Sequence, residues 1–160
     1  MGRTSELRNE LKRAFFPFAE SHGFLIDRRD EPTFTTFRRI VAGSLHVFDV
    51  QWDKYDRPRF VVNFGICPAS GLHLSGKDVP PDQVLAGWTP RGGRLQPRPG
   101  ASEASWFRQD RPLLARLFLG AALRPAPEVV AQPTRLFPEL EAYWSTGTVG
   151  KHVRVTRHAV

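Results

Sequence analysis

Three runs of residues with an alternating pattern, at 33–41, 45–53 and 59–67, constrain the fold of this 160-residue chain more than any other feature. A period of two is typical of β-strands that bury one face. The connections at 42–44 and 54–58 are short and contain glycine or proline, as expected of turns. Because connections this short join antiparallel neighbours, the sequence predicts a three-stranded antiparallel meander.

Helical periodicity precedes and follows the meander. Residues 5–22 begin at a capping serine and place apolar side chains on one face of a helix that stops at Gly23, although Pro17 predicts a kink or a break. Residues 112–123 and 137–144 are predicted as two further helices. The expected fold class is α+β, with an antiparallel β-meander packed on an N-terminal amphipathic helix and followed by C-terminal helices.

No internal repeat and no domain boundary is evident, so the sequence predicts a single domain over 1–160. Residues 1–67 contain the first helix and the meander. Residues 68–110 are rich in loops, with a further strand near 94–96. Residues 111–160 form a helical part with a basic tail, whose final alternation predicts either an added edge strand or a free tail.

Several classes of site lack their sequence motifs. The one cysteine, Cys67, allows neither an internal disulfide nor a multi-thiolate metal site, and the five histidines lack ligand spacing. No nucleophile elbow, phosphate-binding glycine loop or closely spaced carboxylate pair is present. The sequence therefore predicts no catalytic residue, no metal and no cofactor. Because it also contains no signal peptide and no apolar run that could span a bilayer, we expect a cytoplasmic location and no membrane partner.

The alternation assigns polar residues to one face of the predicted sheet. Rows containing Phe48 and Phe64 face the amphipathic helix. The opposite face carries polar side chains, which a sheet tolerates only where they contact solvent or form hydrogen bonds. These residues are Asp49, Gln51 and Asn63, together with one of Arg38 or Arg39. This polar face is predicted to bind a protein partner; the alternative is that a loop or the C-terminal helices cover it.

A net charge of +7 raises a second hypothesis, contact with nucleic acid, although the basic residues are spread along the chain rather than clustered. The candidates lie in a Gly- and Arg-rich loop and in the tail, next to a tryptophan that could stack on a base. They are Trp88, Arg91, Arg94, Arg98, Lys151, Arg154 and Arg157. The alternative is an ordinary solvated loop and tail.

The order of these features resembles an uncharacterised bacterial domain family of unknown function. The matching motifs are Gly23-Phe24, Phe34, Phe37-Arg38-Arg39, Phe48 to Trp52 and the Phe-x-Val-Asn-x-Gly-Ile strand Phe60 to Ile66. The likeness covers about the first seventy residues and implies a compact α+β domain without implying a reaction. By analogy with families that lie beside bacterial toxins, it implies an immunity-type role.

From the sequence we therefore expect a non-catalytic protein-binding module, of immunity type or regulatory, whose partner is another bacterial protein. A nucleic-acid-binding domain that uses the Arg-rich loop and the basic tail is the alternative hypothesis. An enzyme without a recognisable motif is the third.

Overall fold

The computed structural model describes residues 4–27, 29, 33–100, 105–120 and 122–157. The α+β fold class is confirmed. The strands are β1 Leu25–Ile26, β2 Phe34–Val41, β3 Ser44–Trp52, β4 Arg59–Pro68, β5 Leu72–Leu74, β6 Lys77–Val79, β7 Arg91–Leu95, β8 Phe107–Arg108 and β9 Val153–Arg157. The helices are α1 Ser5–Glu10, α2 Phe16–Ser21, α3 Leu113–Leu119 and α4 Ala126–Thr146, with a π-helical stretch Leu11–Phe15 and 3₁₀ turns Pro81–Gln83 and Ala86–Trp88.

Seven strands form one antiparallel sheet in the order β1-β2-β3-β4-β7-β9, and β8 pairs with the start of β4. The predicted meander is confirmed as β2, β3 and β4. The strand expected near 94–96 is β7, which begins three residues earlier and pairs with β4. The alternating C-terminal residues form β9, an edge strand paired with β7, rather than a free tail. β5 and β6 form a separate hairpin.

The N-terminal helix passes Pro17 without splitting. The π-helical stretch lies just before this proline, between α1 and α2. Proline has no backbone N–H and its ring crowds the carbonyl four residues earlier, so the α-helical hydrogen-bond pattern cannot continue through it. The wider π-helical turn takes up this mismatch, and the helix runs on to Ser21.

The last helix is much longer than predicted. α4 begins eleven residues before the expected start at 137 and contains Pro133 and Pro138. Internal prolines argue against a helix on local grounds. Burial of one face of α4, which includes Val129 and Leu140, against the sheet supplies the compensating stabilisation.

The main core lies between the sheet and the helices α1, α2 and α4. Phe48 stacks on Phe37 with ring centroids 4.5 Å apart and meets Phe15 and Phe137 edge-on. The indole Nε1 of Trp144, on α4, donates a hydrogen bond to the Gly65 carbonyl at 2.9 Å. α4 therefore packs on the apolar sheet face, and the opposite, polar face is left for shorter segments to cover.

Candidate binding pocket

A row of polar residues crosses five neighbouring strands on the face away from the helices. Thr36, Asp49 and Asn63 are paired in register across β2, β3 and β4. The pairing continues from Asn63 to Arg94 on β7 and from Arg94 to Arg154 on β9. Directly paired residues of an antiparallel sheet share a face, so these five positions form one continuous polar row.

Asn63 is the centre of the hydrogen bonding in this polar row. Its Nδ2 donates to Asp49 Oδ1 at 2.7 Å and to Gln51 Oε1 at 3.1 Å. Its Oδ1 accepts a hydrogen bond from Arg94 Nε at 3.0 Å. One amide thus orients three side chains from two neighbouring strands, which explains how an asparagine is accommodated in the middle of β4.

The Asp49 carboxylate is almost fully enclosed, with 3% of the residue exposed. Burial raises the pKa of Asp49 to about 6, while hydrogen bonds from Asn63 and from the Ala86 backbone, together with the nearby charge of Arg94, act in the opposite direction. At neutral pH the group is therefore mostly ionised, and it links the backbone around Ala86 to the sheet.

The segment 84–89 lies directly on the sheet and forms one side of the site. Ala86 and Thr89 are buried, and Thr89 Oγ1 donates to the Ala86 carbonyl at 2.8 Å. A Cβ at Gly65 would come within 1.9 Å of Thr89 Oγ1, and one at Gly92 within 2.9 Å. The glycine of the Phe-x-Val-Asn-x-Gly-Ile strand is therefore needed for this close approach.

A pocket of about 520 Å³ lies between the polar row and the 84–89 segment. Sites for small ligands usually occupy about 300–1,000 Å³. Trp88 is 46% exposed and lines the pocket together with Phe34. The full lining consists of Phe34, Asp49, Gln51, Asn63, Phe64, Leu85, Ala86, Gly87, Trp88, Gly93, Arg94, Arg154 and Thr156.

Two arginines of the pocket lie side by side. Arg94 and Arg154 are directly paired across β7 and β9, and neither forms an ion pair with a carboxylate in the described part of the chain. Like charges at directly paired positions of a sheet are unfavourable. An anionic group held between them would remove this repulsion, so this end of the pocket favours an anion.

The pocket joins two sets of residues that the sequence places in separate hypotheses. From the predicted polar face come Asp49, Gln51 and Asn63. From the predicted nucleic-acid set come Trp88, Arg94 and Arg154. β7 and β9 bring these sets together, because they extend the sheet beyond β4, the strand that carries Asn63.

The two arginines that the sequence leaves as alternatives lie on opposite faces of the sheet. Arg38 is on the polar face but is buried, with its Nε donating to the Val84 carbonyl at 2.8 Å and its guanidinium paired with Asp27. Arg39 is on the helix face, where it pairs with Glu141 of α4. Both arginines thus hold the fold together, and neither lines the pocket of the polar row.

The other basic candidates lie outside this pocket. Arg91 is three residues from Arg94 and therefore on the helix side, with its guanidinium 6.0 Å from the ring centroid of Tyr143. Arg98 and Lys151 are exposed in the segments that follow β7 and precede β9. Arg157 lies opposite Arg91 in register.

Some lining residues were not predicted as site residues. Among them are Phe34, which the sequence indicates only as part of a family motif, and Leu85 and Thr156. Phe34 and Gln51 are paired in register, so extending the polar-face pattern to β2 could have found Phe34. The alternation of residues 153–157 places Thr156 on the same face as Arg154, whereas no local pattern indicates Leu85, which reaches the pocket through contacts distant in sequence.

Among the described residues, no cluster of His, Cys, Asp or Glu is arranged to hold a metal ion, and no helix has the length and apolar character to cross a bilayer. Comparison of the chain with protein-family models, curated proteins and solved structures gives no match. The resemblance of the first seventy residues to a family of unknown function therefore stays a prediction.

Proposed function

We propose that the protein is a non-catalytic binding module whose pocket holds one nucleotide unit of a single-stranded nucleic acid. The observation that carries this proposal is the convergence of Trp88, Arg94 and Arg154 on a hydrogen-bonding floor. A nucleotide combines a planar base, polar base edges and an anionic phosphate, so it would use every kind of group in the lining. A cytoplasmic location is part of the proposal.

Each group has a defined role in such a complex. The exposed indole of Trp88 would stack on the base, which contributes about 1–3 kcal/mol per base in proteins of this kind. Gln51 would hydrogen-bond to the base edge, as polar groups do in the recognition of unpaired bases, while the enclosed Asp49 holds Asn63 in place beside it. Arg94 and Arg154 would bind the phosphate, whose charge offsets their mutual repulsion.

The lining supports binding rather than catalysis. Within the described lining residues, Asp49 is the one carboxylate, no histidine, cysteine or serine accompanies it, and the hydroxyl of Thr156 donates to the Gly92 carbonyl at 3.4 Å. General acid–base or nucleophilic catalysis needs at least two convergent groups with complementary roles. The Asp49 carboxylate is also already engaged by Asn63 and by the backbone of Ala86.

The test is fluorescence anisotropy with a labelled single strand of about ten nucleotides, titrated at several salt concentrations. Trp88→Ala is expected to weaken binding by about 5- to 150-fold, corresponding to the lost stacking. Arg154→Gln is expected to lower the slope of log affinity against log salt by about 0.7, the value for one phosphate contact on a single strand.

Arg98→Gln is the matched control, since it removes the same charge from an exposed position outside the pocket. The proposal holds if Arg154→Gln weakens binding clearly more than Arg98→Gln does. Equal effects of the two substitutions, or no binding at about 0.1 M salt, would refute it.

A protein partner is the second candidate, and the paired arginines also favour it because they suit a carboxylate of an acidic segment. An immunity-type or regulatory module would use the same pocket. Affinity purification of the tagged protein, with and without nuclease treatment, separates the two candidates. A stoichiometric protein that survives nuclease and is lost with the Arg94→Gln/Arg154→Gln double variant would favour this second function.

A further inference from the structure

The helix α3 exposes most of its apolar side chains. Sequence periodicity predicts one apolar side for this helix, as expected of a helix that packs on a core. Its five large apolar residues are instead between 64% and 86% exposed, and they are Leu113, Leu114, Leu117, Phe118 and Leu119. The predicted apolar side contains Leu113, Leu114, Leu117 and Phe118 together with Ala121, which lies outside the described residues. Five large apolar side chains exposed within seven residues indicate an interaction site.

The segment that carries α3 projects from a closed base. Gln109 and Arg124 close the base, with the Arg124 N–H donating to the Gln109 carbonyl at 2.9 Å and Gln109 Nε2 donating to the Arg124 carbonyl at 3.0 Å. The helix between them is tied mainly to its own segment, since Arg116 Nε donates to the Arg111 carbonyl at 3.1 Å. α3 is therefore held in place without burying its leucines.

All the charge on this projecting segment has one sign. Residues 111–124 read RPLLARLFLGAALR, with three arginines and no acidic residue. Asp110, just before the segment, is buried and paired with Arg108. The surface that receives α3 must therefore accept apolar side chains and present negative charge around them.

We infer that α3 docks on the surface of an anionic lipid bilayer, with its leucines and phenylalanine among the acyl chains and its one arginine, Arg116, at the head groups, next to the flanking Arg111 and Arg124. Interfacial helices place leucine and phenylalanine at the acyl boundary and basic residues at the head groups in this way. Arginine near an anionic leaflet adds a favourable electrostatic contribution. This inference is independent of the pocket and of the proposed function.

Two other occupants fit less well. A second copy of the chain would bring two sets of three arginines together, on molecules that each carry a net charge of +7. A groove on a partner protein usually takes one stripe of a helix, at a spacing of three and four residues over several turns. α3 has only seven residues. Its exposed apolar side chains do not form a single stripe, since they include Leu119 as well as Leu113, Leu114 and their neighbours. A fluid bilayer accepts an apolar surface on several sides of a projecting segment.

This inference departs from the sequence expectation of no membrane partner. That expectation was based on the absence of a spanning run, whereas an interfacial helix lies in the plane of the head groups and needs none.

The test is flotation of the full-length protein with vesicles of phosphatidylcholine, with or without phosphatidylglycerol. We expect the wild-type protein to float with the anionic vesicles and to stay behind with phosphatidylcholine alone. The triple variant Leu114→Ser/Leu117→Ser/Phe118→Ser should lose binding by at least about tenfold, because it removes apolar side chains that would enter the bilayer. Since these side chains are exposed, the variant should keep the circular dichroism spectrum of the wild type.

The control variant Leu25→Ser/Ile40→Ser removes exposed apolar side chains from β1 and β2 and should bind vesicles like the wild type. Failure of the wild-type protein to float with anionic vesicles would overturn the inference. So would equal binding by the triple variant, which would indicate attraction by net charge alone. Loss of self-association or of a co-purifying protein in the triple variant, without any vesicle binding by the wild type, would assign α3 to a second copy or to a protein groove instead.

Discussion

Replacing Asp49 with asparagine should change how the stability of the protein depends on pH. Burial raises the pKa of Asp49 from its ordinary value of 3.8 to about 6. Between these two values the unfolded chain releases this proton more readily than the folded protein does, so stability falls as pH rises through the window. At about 1.4 kcal/mol per pH unit, the contribution of Asp49 to the free energy of unfolding falls by about 3 kcal/mol.

The measurement is urea denaturation of wild-type protein and Asp49→Asn at a series of values from about pH 3.5 to about pH 7. The stability of the wild type relative to the variant should fall by about 3 kcal/mol across this range. Carboxylates such as Asp27, whose pKa is lowered by its hydrogen bond with Arg29, act in both proteins and cancel in the difference. The loss of hydrogen bonding on substitution adds an offset at neutral pH, but it does not produce this pH dependence.

Asp82→Asn is the matched control, because it makes the same substitution at an exposed aspartate outside the polar row. A difference between wild type and Asp49→Asn that stays constant with pH would refute the reasoning. A difference that rises with pH would show that Asn63 and Arg94 stabilise the ionised carboxylate more than burial disfavours it.

Three further predictions concern stability and reactivity. Gly93→Ala should lower the free energy of unfolding by at least about 2 kcal/mol, measured by urea denaturation, because the new Cβ would lie 1.9 Å from a backbone oxygen of β9. Gly87→Ala places its Cβ in open space and should change this free energy by no more than about 0.5 kcal/mol, so similar values for both variants would contradict the prediction. Trp144→Phe should cost about 1–3 kcal/mol because it removes the buried indole hydrogen bond to the Gly65 carbonyl, and an unchanged denaturation midpoint would show that the hydrogen bond is dispensable. Burial raises the pKa of Cys67 to about 11. A disulfide reagent at about pH 8 should therefore label the native protein at least about 100-fold more slowly than the urea-unfolded chain, and rapid labelling of the native protein would contradict this.

The meander shows how far a local pattern can determine structure. Alternation located β2, β3 and β4 to within about two residues and assigned Asp49, Gln51 and Asn63 to one face. It could not decide between Arg38 and Arg39, because adjacent residues point to opposite faces and the choice depends on the register with β3. The first half of α4 was not predicted because of its prolines. The free-energy cost of a proline in a helix can be estimated from the sequence, whereas the packing that compensates for it cannot.

By itself the sequence determined the meander, the N-terminal helix and which side chains of each strand share a face, because these properties follow from residue spacing along one element. Only the tertiary structure decided that β7 and β9 extend the meander, so that Arg94 and Arg154 reach the row of Asn63. It also decided that α4 covers the apolar face and that α3 remains exposed, although both have apolar periodicity. The physical reason is that strand order and helix docking depend on contacts between residues far apart in the chain, and residue spacing within one element carries no information about its distant partner.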